Sequence, residues 1–129
     1  MPIAFVTHPN NPVDSLSTLQ LGKILSGDVA NWKELGGHDK KIVLHGRDKF
    51  SGTKEFLKGR FLPNQQFPSS TVEHANNQYI INAVKNDPYG IGYVGAGFLM
   101  DKNGRPNNEI WALYLFTEGD SEAYSPYQY

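Results

Sequence analysis

Residues 42–57, Ile-Val-Leu-His-Gly-Arg-Asp-Lys-Phe-Ser-Gly-Thr-Lys-Glu-Phe-Leu, constrain this chain more than any other stretch. A β-rich run stops at a turn and a helical pattern starts at Ser51-Gly52-Thr53, so a strand must hand over to a helix at a fixed point. Such a junction can hold a tetrahedral anion. A helix start carries unpaired backbone N–H groups and the positive end of the macrodipole. Ser51 and Thr53 add hydroxyls, Gly52 permits close approach of the backbone, and Arg47 offers a guanidinium fork that can bond two oxyanion oxygens at once. The same three residues are equally an ordinary helix cap, and Arg47 is equally a surface arginine paired with Asp48 or Glu55.

The flanking sequence alternates between strand and helix patterns. Ile3 to Thr7 reads as a short buried strand, and Ser15 or Ser17 caps a helix whose apolar positions are Leu16, Leu19, Leu21, Ile24 and Leu25, stopped by Gly27. Asn31 to Gly37 reads as a single helical turn, Ile42 to His45 as a second strand, and Thr53 to Phe61 as a helix with Phe56, Leu57 and Phe61 on its apolar stripe. Residues 62–75 read as a loop. A helix carrying Tyr79, Ile80, Ala83 and Val84 ends at Asn86-Asp87-Pro88, and Gly90 to Gly95 is a strand among glycines. Phe98 to Met100 suggests a helical turn, Asn103 to Pro106 a turn, and Glu109 to Phe116 one further strong strand. This alternation predicts an α/β domain around a central sheet, followed by a polar, tyrosine-rich tail over residues 118–129.

Composition narrows the partners. With 12 Lys+Arg against 13 Asp+Glu the formal net charge is −1, so no global field draws nucleic acid, and any anion must be captured locally. The absence of cysteine excludes disulfides and thiolate metal sites. No run approaches the roughly 18 apolar residues of a membrane span, and Met1-Pro2-Ile3 has neither the charged nor the apolar region of a secretory signal.

Several segments resemble one family in order and spacing. Asn11-Pro12-Val13 with Leu16 to Gly27, Asn31-Trp32-Lys33-Glu34-Leu35-Gly36-Gly37, Arg47 to Thr53, and Gly90-Ile91-Gly92-Tyr93-Val94-Gly95 are together similar to the PstS-like substrate-binding proteins of phosphate ABC transporters. The resemblance implies an α/β fold, a single three-layer lobe of the periplasmic type II architecture, with a central, mostly parallel sheet flanked by helices. It also implies that residues 1–129 form only the second lobe of a two-lobed protein, residues 118–129 being a tail or the crossover to a missing first lobe. The family's second-lobe phosphate ligands fall on the Arg47 side chain, the Ser51 hydroxyl, the Gly52 N–H, and the Thr53 N–H and hydroxyl, the four residues reached above from helix-end chemistry. Asp48 is placed to steady Arg47, although Lys49 stands beside it. The aspartate that accepts the proton of hydrogen phosphate belongs to the other lobe and has no counterpart here.

The resemblance implies non-catalytic binding of inorganic phosphate or a similar oxyanion, extracytoplasmic location, and a first lobe or a transporter permease as protein partner. A one-sided site leaves the anion wet, so affinity on the order of millimolar is expected. The competing reading is a structural, interaction or sensor module that self-associates through the exposed cleft face. An enzyme is not indicated, since Ser51 lies in no G-x-S-x-G elbow. His8, His38, His45 and His74 lie at no metal-ligand spacing, which points to solvated or capping roles and predicts neither metal nor cofactor. His45 shares a strand face with Arg47 and is a candidate to approach the anion. Gly90 to Gly95 matches G-x-G-x-x-G, but its glycines fall inside a strand, so it reads as close packing; Trp32, Trp111 and Tyr93 read as core or domain-surface aromatics.

Overall fold

In a computed structural model, described here over residues 2–117, seven strands and three helices alternate as the sequence pattern predicts. The strands are β1 Ile3–Thr7, β2 Ser15–Ser17, β3 Val43–Arg47, β4 Val72–His74, β5 Gly90–Gly95, β6 Trp111–Ala112 and β7 Tyr114–Phe116. The helices are α1 Thr18–Ser26, α2 Gly52–Phe61 and α3 Asn77–Lys85. The main sheet has the order β4-β3-β5-β1-β6. β3 is parallel to both β4 and β5, while β1 is antiparallel to β5 and to β6. Four strands therefore point one way and β1 alone opposes them, which is the mostly parallel arrangement expected.

Each helix starts where a side chain can satisfy free amides. Ser17, not Ser15, caps α1 through a reciprocal box: Gln20 N–H donates to Ser17 Oγ at 3.0 Å and Ser17 N–H donates to Gln20 Oε1 at 2.9 Å. Gly27 closes the helix at φ 87, a left-handed conformation that glycine adopts without steric cost. Asn76 caps α3 by accepting the Tyr79 N–H at 2.9 Å. The single turn over Trp32–Leu35 is a 3₁₀ helix, and buried Trp32 donates its indole N–H to the Tyr89 carbonyl at 2.8 Å.

The sheet has a core on each face. Leu21, Leu25, Leu44, Leu57, Ile91 and Tyr93 join one, with α1 and α2 on that side, whereas Ala4, Val6, Ile80, Val84 and Val94 join the other, under α3. Gly92 lets α3 lie this close, since a Cβ there would stand 2.6 Å from Ile80 Cγ2.

Four details differ from the sequence reading. The strand expected from Glu109 to Phe116 divides at Leu113 into β6, on the main sheet, and β7, which pairs with β2 in a separate two-stranded sheet. Leu113 is fully buried and donates its N–H to the Phe5 carbonyl at 2.8 Å, so the chain changes sheets there. The expected loop 62–75 contains β4, whose three residues form too short a run to show a period. Leu16 lies in β2 instead of α1, Leu19 is 55% exposed and Phe56 is 58% exposed, so the apolar faces of α1 and α2 are narrower than their composition suggests. The helical turn expected at Phe98 to Met100 is a 3₁₀ turn over Ala96–Leu99. The tail over residues 118–129 lies outside the described residues.

Candidate anion-binding site

β3 ends at Arg47 in mid-sheet, at the carboxyl edge where open α/β sheets hold their ligands. Its pairing with β5 covers only Val43 to His45, so Arg47 N–H is left without a ladder partner on that side. Tyr93 supplies one: its phenol oxygen accepts the Arg47 N–H at 2.9 Å. Gly46 makes the approach possible, because a Cβ there would lie 3.0 Å from Tyr93 Oη and 3.2 Å from Thr71 Cγ2. Burial pushes the Tyr93 phenol up to about 12, against the opposing effects of the Arg47 N–H and guanidinium, so it remains a neutral hydroxyl at physiological pH.

The turn after Arg47 is held by backbone bonds. Asp48 N–H donates to the His74 carbonyl at 3.2 Å, Ser51 N–H donates to the Asp48 carbonyl at 3.2 Å, and Phe50 N–H donates to Asp48 Oδ1 at 3.2 Å. The Asp48 carboxylate thus braces the turn. It forms no ion pair with Arg47, contrary to the role expected for it, and Glu55 forms none either among the described residues. Arg47 Nε is buried without a hydrogen-bond partner, so a donor of this group remains to be satisfied.

At the start of α2 both readings of Ser51 hold at once. Ser51 is 4% exposed and its Oγ accepts the Lys54 N–H at 3.1 Å, which is an N-cap. Accepting that bond leaves the hydroxyl proton available to donate. The Gly52 and Thr53 N–H groups have no acceptor among the described residues, as the first helical amides generally do not. A Cβ built on Gly52 meets nothing within 4 Å, so the helix start is open on that side. Arg47, Ser51, Gly52 and Thr53 therefore stand within one seven-residue strand-turn-helix unit, with unspent donors and no carboxylate paired to them.

His45 does not serve this site as expected. Its Nε2 lies 2.9 Å from Asp87 Oδ2 and its Nδ1 lies 3.0 Å from His74 Nε2, so both ring nitrogens are spent away from the anion wall. Neither it nor His74 is merely solvated; His8 does cap, accepting the Asn10 N–H at 3.1 Å. Tyr93 is the residue that sequence reasoning classed only as a core or domain-surface aromatic. The available signal was a tyrosine inside a glycine-rich strand, with a glycine just before Arg47 to receive its phenol. Gly90 to Gly95 is wholly buried, consistent with the packing reading of its glycines.

A family profile described as "PBP superfamily domain" matches residues 1–125. The chain is a PstS-like member of the PBP superfamily. The phosphate-binding protein PstS of Bacillus subtilis is 31% identical to this PstS-like chain over 99 residues, covering 77% of the chain and 33% of that protein. The crystal structure of PstS from Borrelia burgdorferi superposes with a TM-score of 0.77 at 29% identity, covering 88% of this chain and 47% of that one. An ABC-type phosphate transport receptor from Vibrio cholerae gives a TM-score of 0.75 at 25% identity, covering 88% and 46%. The PstS-like chain thus spans a third to just under half of these relatives. The family is one of solute-binding proteins and not of enzymes.

Proposed function

We propose that the chain is one lobe of a two-lobed solute-binding protein and presents one wall of a site for inorganic phosphate or a similar tetrahedral oxyanion. Arg47 supplies the charged fork, Ser51 and Thr53 supply hydroxyls, and the Gly52 and Thr53 amides supply the helix-start donors. The observation that carries this reading is the conjunction of a partnerless buried Arg47 Nε with free first-turn amides on α2. A structural arginine in a purely capping junction would be bonded to a carboxylate or carbonyl. In the complete protein the opposite wall would come from the first lobe, a permease would receive the loaded protein, and the location would be extracytoplasmic.

One wall alone leaves much of the anion in water, so affinity on the order of millimolar is expected. Titration of phosphate against the amide spectrum is the test. Shifts at Ser51, Gly52 and Thr53 that vanish in Arg47→Ala, with the rest of the spectrum intact, are the expected result. Unmoved amides, or shifts that survive in Arg47→Ala, would refute the reading. Phe50, 84% exposed on the turn before α2, favours a second use of the same face, contact with another lobe or another copy. Sedimentation at rising concentration distinguishes a monomer from that association.

A further inference from the structure

Asp87, His45 and His74 join three separate elements: the turn after α3, strand β3 and edge strand β4. His45 is 6% exposed, and glycine at position 90 leaves it room, since a Cβ there would lie 3.0 Å from the His45 ring and from Asp87 Oδ2. We propose that the Asp87–His45–His74 relay is a pH-sensitive latch that positions the anion wall and loosens it on acidification, a regulation that rests on the oxyanion reading above.

The positioning follows from register. His74 is the β4 partner of Arg47, and its carbonyl accepts the Asp48 N–H, the first bond of the turn leading to Ser51. β4 has only three residues, with Val72 and Glu73 exposed, so besides its ladder to β3 and the Glu73–Lys54 pair it is tied inward by the His74 side chain. Moving β4 therefore moves the support of Asp48.

The proton arithmetic follows from the two ring nitrogens. In the neutral chain the Asp87 carboxylate accepts from His45 Nε2–H, which leaves His45 Nδ1 to accept from His74 Nε2–H. One added proton still leaves a single N–H between the two facing ring nitrogens, whichever ring carries it, and the contact with Asp87 is kept. A second proton leaves two N–H donors facing each other at the 3.0 Å contact, and the latch parts. Burial, then the neighbouring His45 ring, hold the His74 imidazole below its ordinary 6.5, so the second protonation belongs to acidic conditions. The titratable neighbours are Asp87 from the turn and His74 from β4; the α3 face brings Ile80 and Val84, and β5 brings Gly90 and Gly92. Arg47 follows two residues along β3, and Glu73 is engaged by Lys54 at 2.9 Å.

Sulfate is the probe of choice because it stays a dianion throughout the range, unlike phosphate. Its affinity is read from the Ser51, Gly52 and Thr53 amides of the full chain at about pH 7.5 and about pH 5, alongside the exchange protection of the Asp48 amide. Added positive charge alone would tighten sulfate on acidification; the latch predicts about a tenfold weakening and a parallel fall in Asp48 protection. His74→Phe should show low Asp48 protection at both pH values with no further fall, while His38→Gln keeps the wild-type profile. Sulfate affinity that holds or rises on acidification overturns the proposal, as does constant Asp48 protection. If sulfate moves none of the three amides at either pH, the oxyanion reading fails by itself, and Asp48 protection still decides whether the latch opens.

Discussion

Replacing Tyr93 by Phe isolates one hydrogen bond at the root of the site. Tyr93 is 1% exposed, and Phe would keep its edge contact with Phe5, where the ring centroids are 6.3 Å apart, so the exchange opens almost no cavity. What disappears is the acceptor of the Arg47 N–H at 2.9 Å. A buried donor left unpaired costs about 1–3 kcal/mol. For a domain of this size each kcal/mol corresponds to a Tm change of roughly 3–5 °C, so Tyr93→Phe should lower Tm by roughly 3–15 °C. An alkaline limb gives an independent check. The folded phenol is pushed up to about 12 from its ordinary 10.0, so its contribution is fully present below pH 10 and is lost as pH rises through 12. That loss is on the order of 2–3 kcal/mol in the wild type and absent from the variant. Urea unfolding at pH 7 and at rising alkaline pH, with the Arg47 amide followed by NMR, measures both. Equal stability at pH 7 with an unmoved Arg47 amide would refute the claim that the phenol holds the end of β3.

Three further substitutions separate folding from binding. Gly52→Ala adds a Cβ that meets nothing within 4 Å at a position with ordinary φ, so urea unfolding should show stability unchanged or raised by up to about 1 kcal/mol, while phosphate titration shows several-fold weaker binding. Ser51→Ala removes the acceptor of the Lys54 N–H and should cost about 1 kcal/mol by the same unfolding assay, with anion-induced shifts reduced as well. Gly92→Ala would drive a Cβ to within 2.6 Å of Ile80 and should cost about 1–3 kcal/mol, seen as a lower unfolding midpoint.

Long periodic elements were legible because burial on one face dictates their pattern: α3, with Ile80, Ile81 and Val84 buried, is the clearest case. β4 and the break at Leu113 were not, since a three-residue strand has no measurable period and sheet exchange is decided by partners remote in sequence. The anion wall was legible because its donors lie together between Arg47 and Thr53. Tyr93, Asp87 and His74 were not, since each reaches its partner across the sheet: Tyr93 is 46 residues from Arg47, and Asp87 is 42 from His45. Local chemistry writes itself into neighbouring residues, and support of that chemistry does not.

This division bears on where selectivity resides. Every group on the wall that is free to meet an anion, the Arg47 guanidinium, the Gly52 and Thr53 amides and the Ser51 and Thr53 hydroxyls, can donate, and none of them is an anionic acceptor. Donors alone stabilise phosphate and sulfate alike, because telling them apart requires an acceptor for the proton that phosphate carries and sulfate lacks. The nearest carboxylate on the turn, Asp48, is occupied by the Phe50 N–H at 3.2 Å and faces its own backbone. The isolated chain should therefore bind the two anions within about threefold of each other near neutral pH, a comparison readable from the Gly52 amide. A tenfold preference for phosphate would place an effective acceptor for its proton within this lobe and refute the view that the wall offers no anionic acceptor.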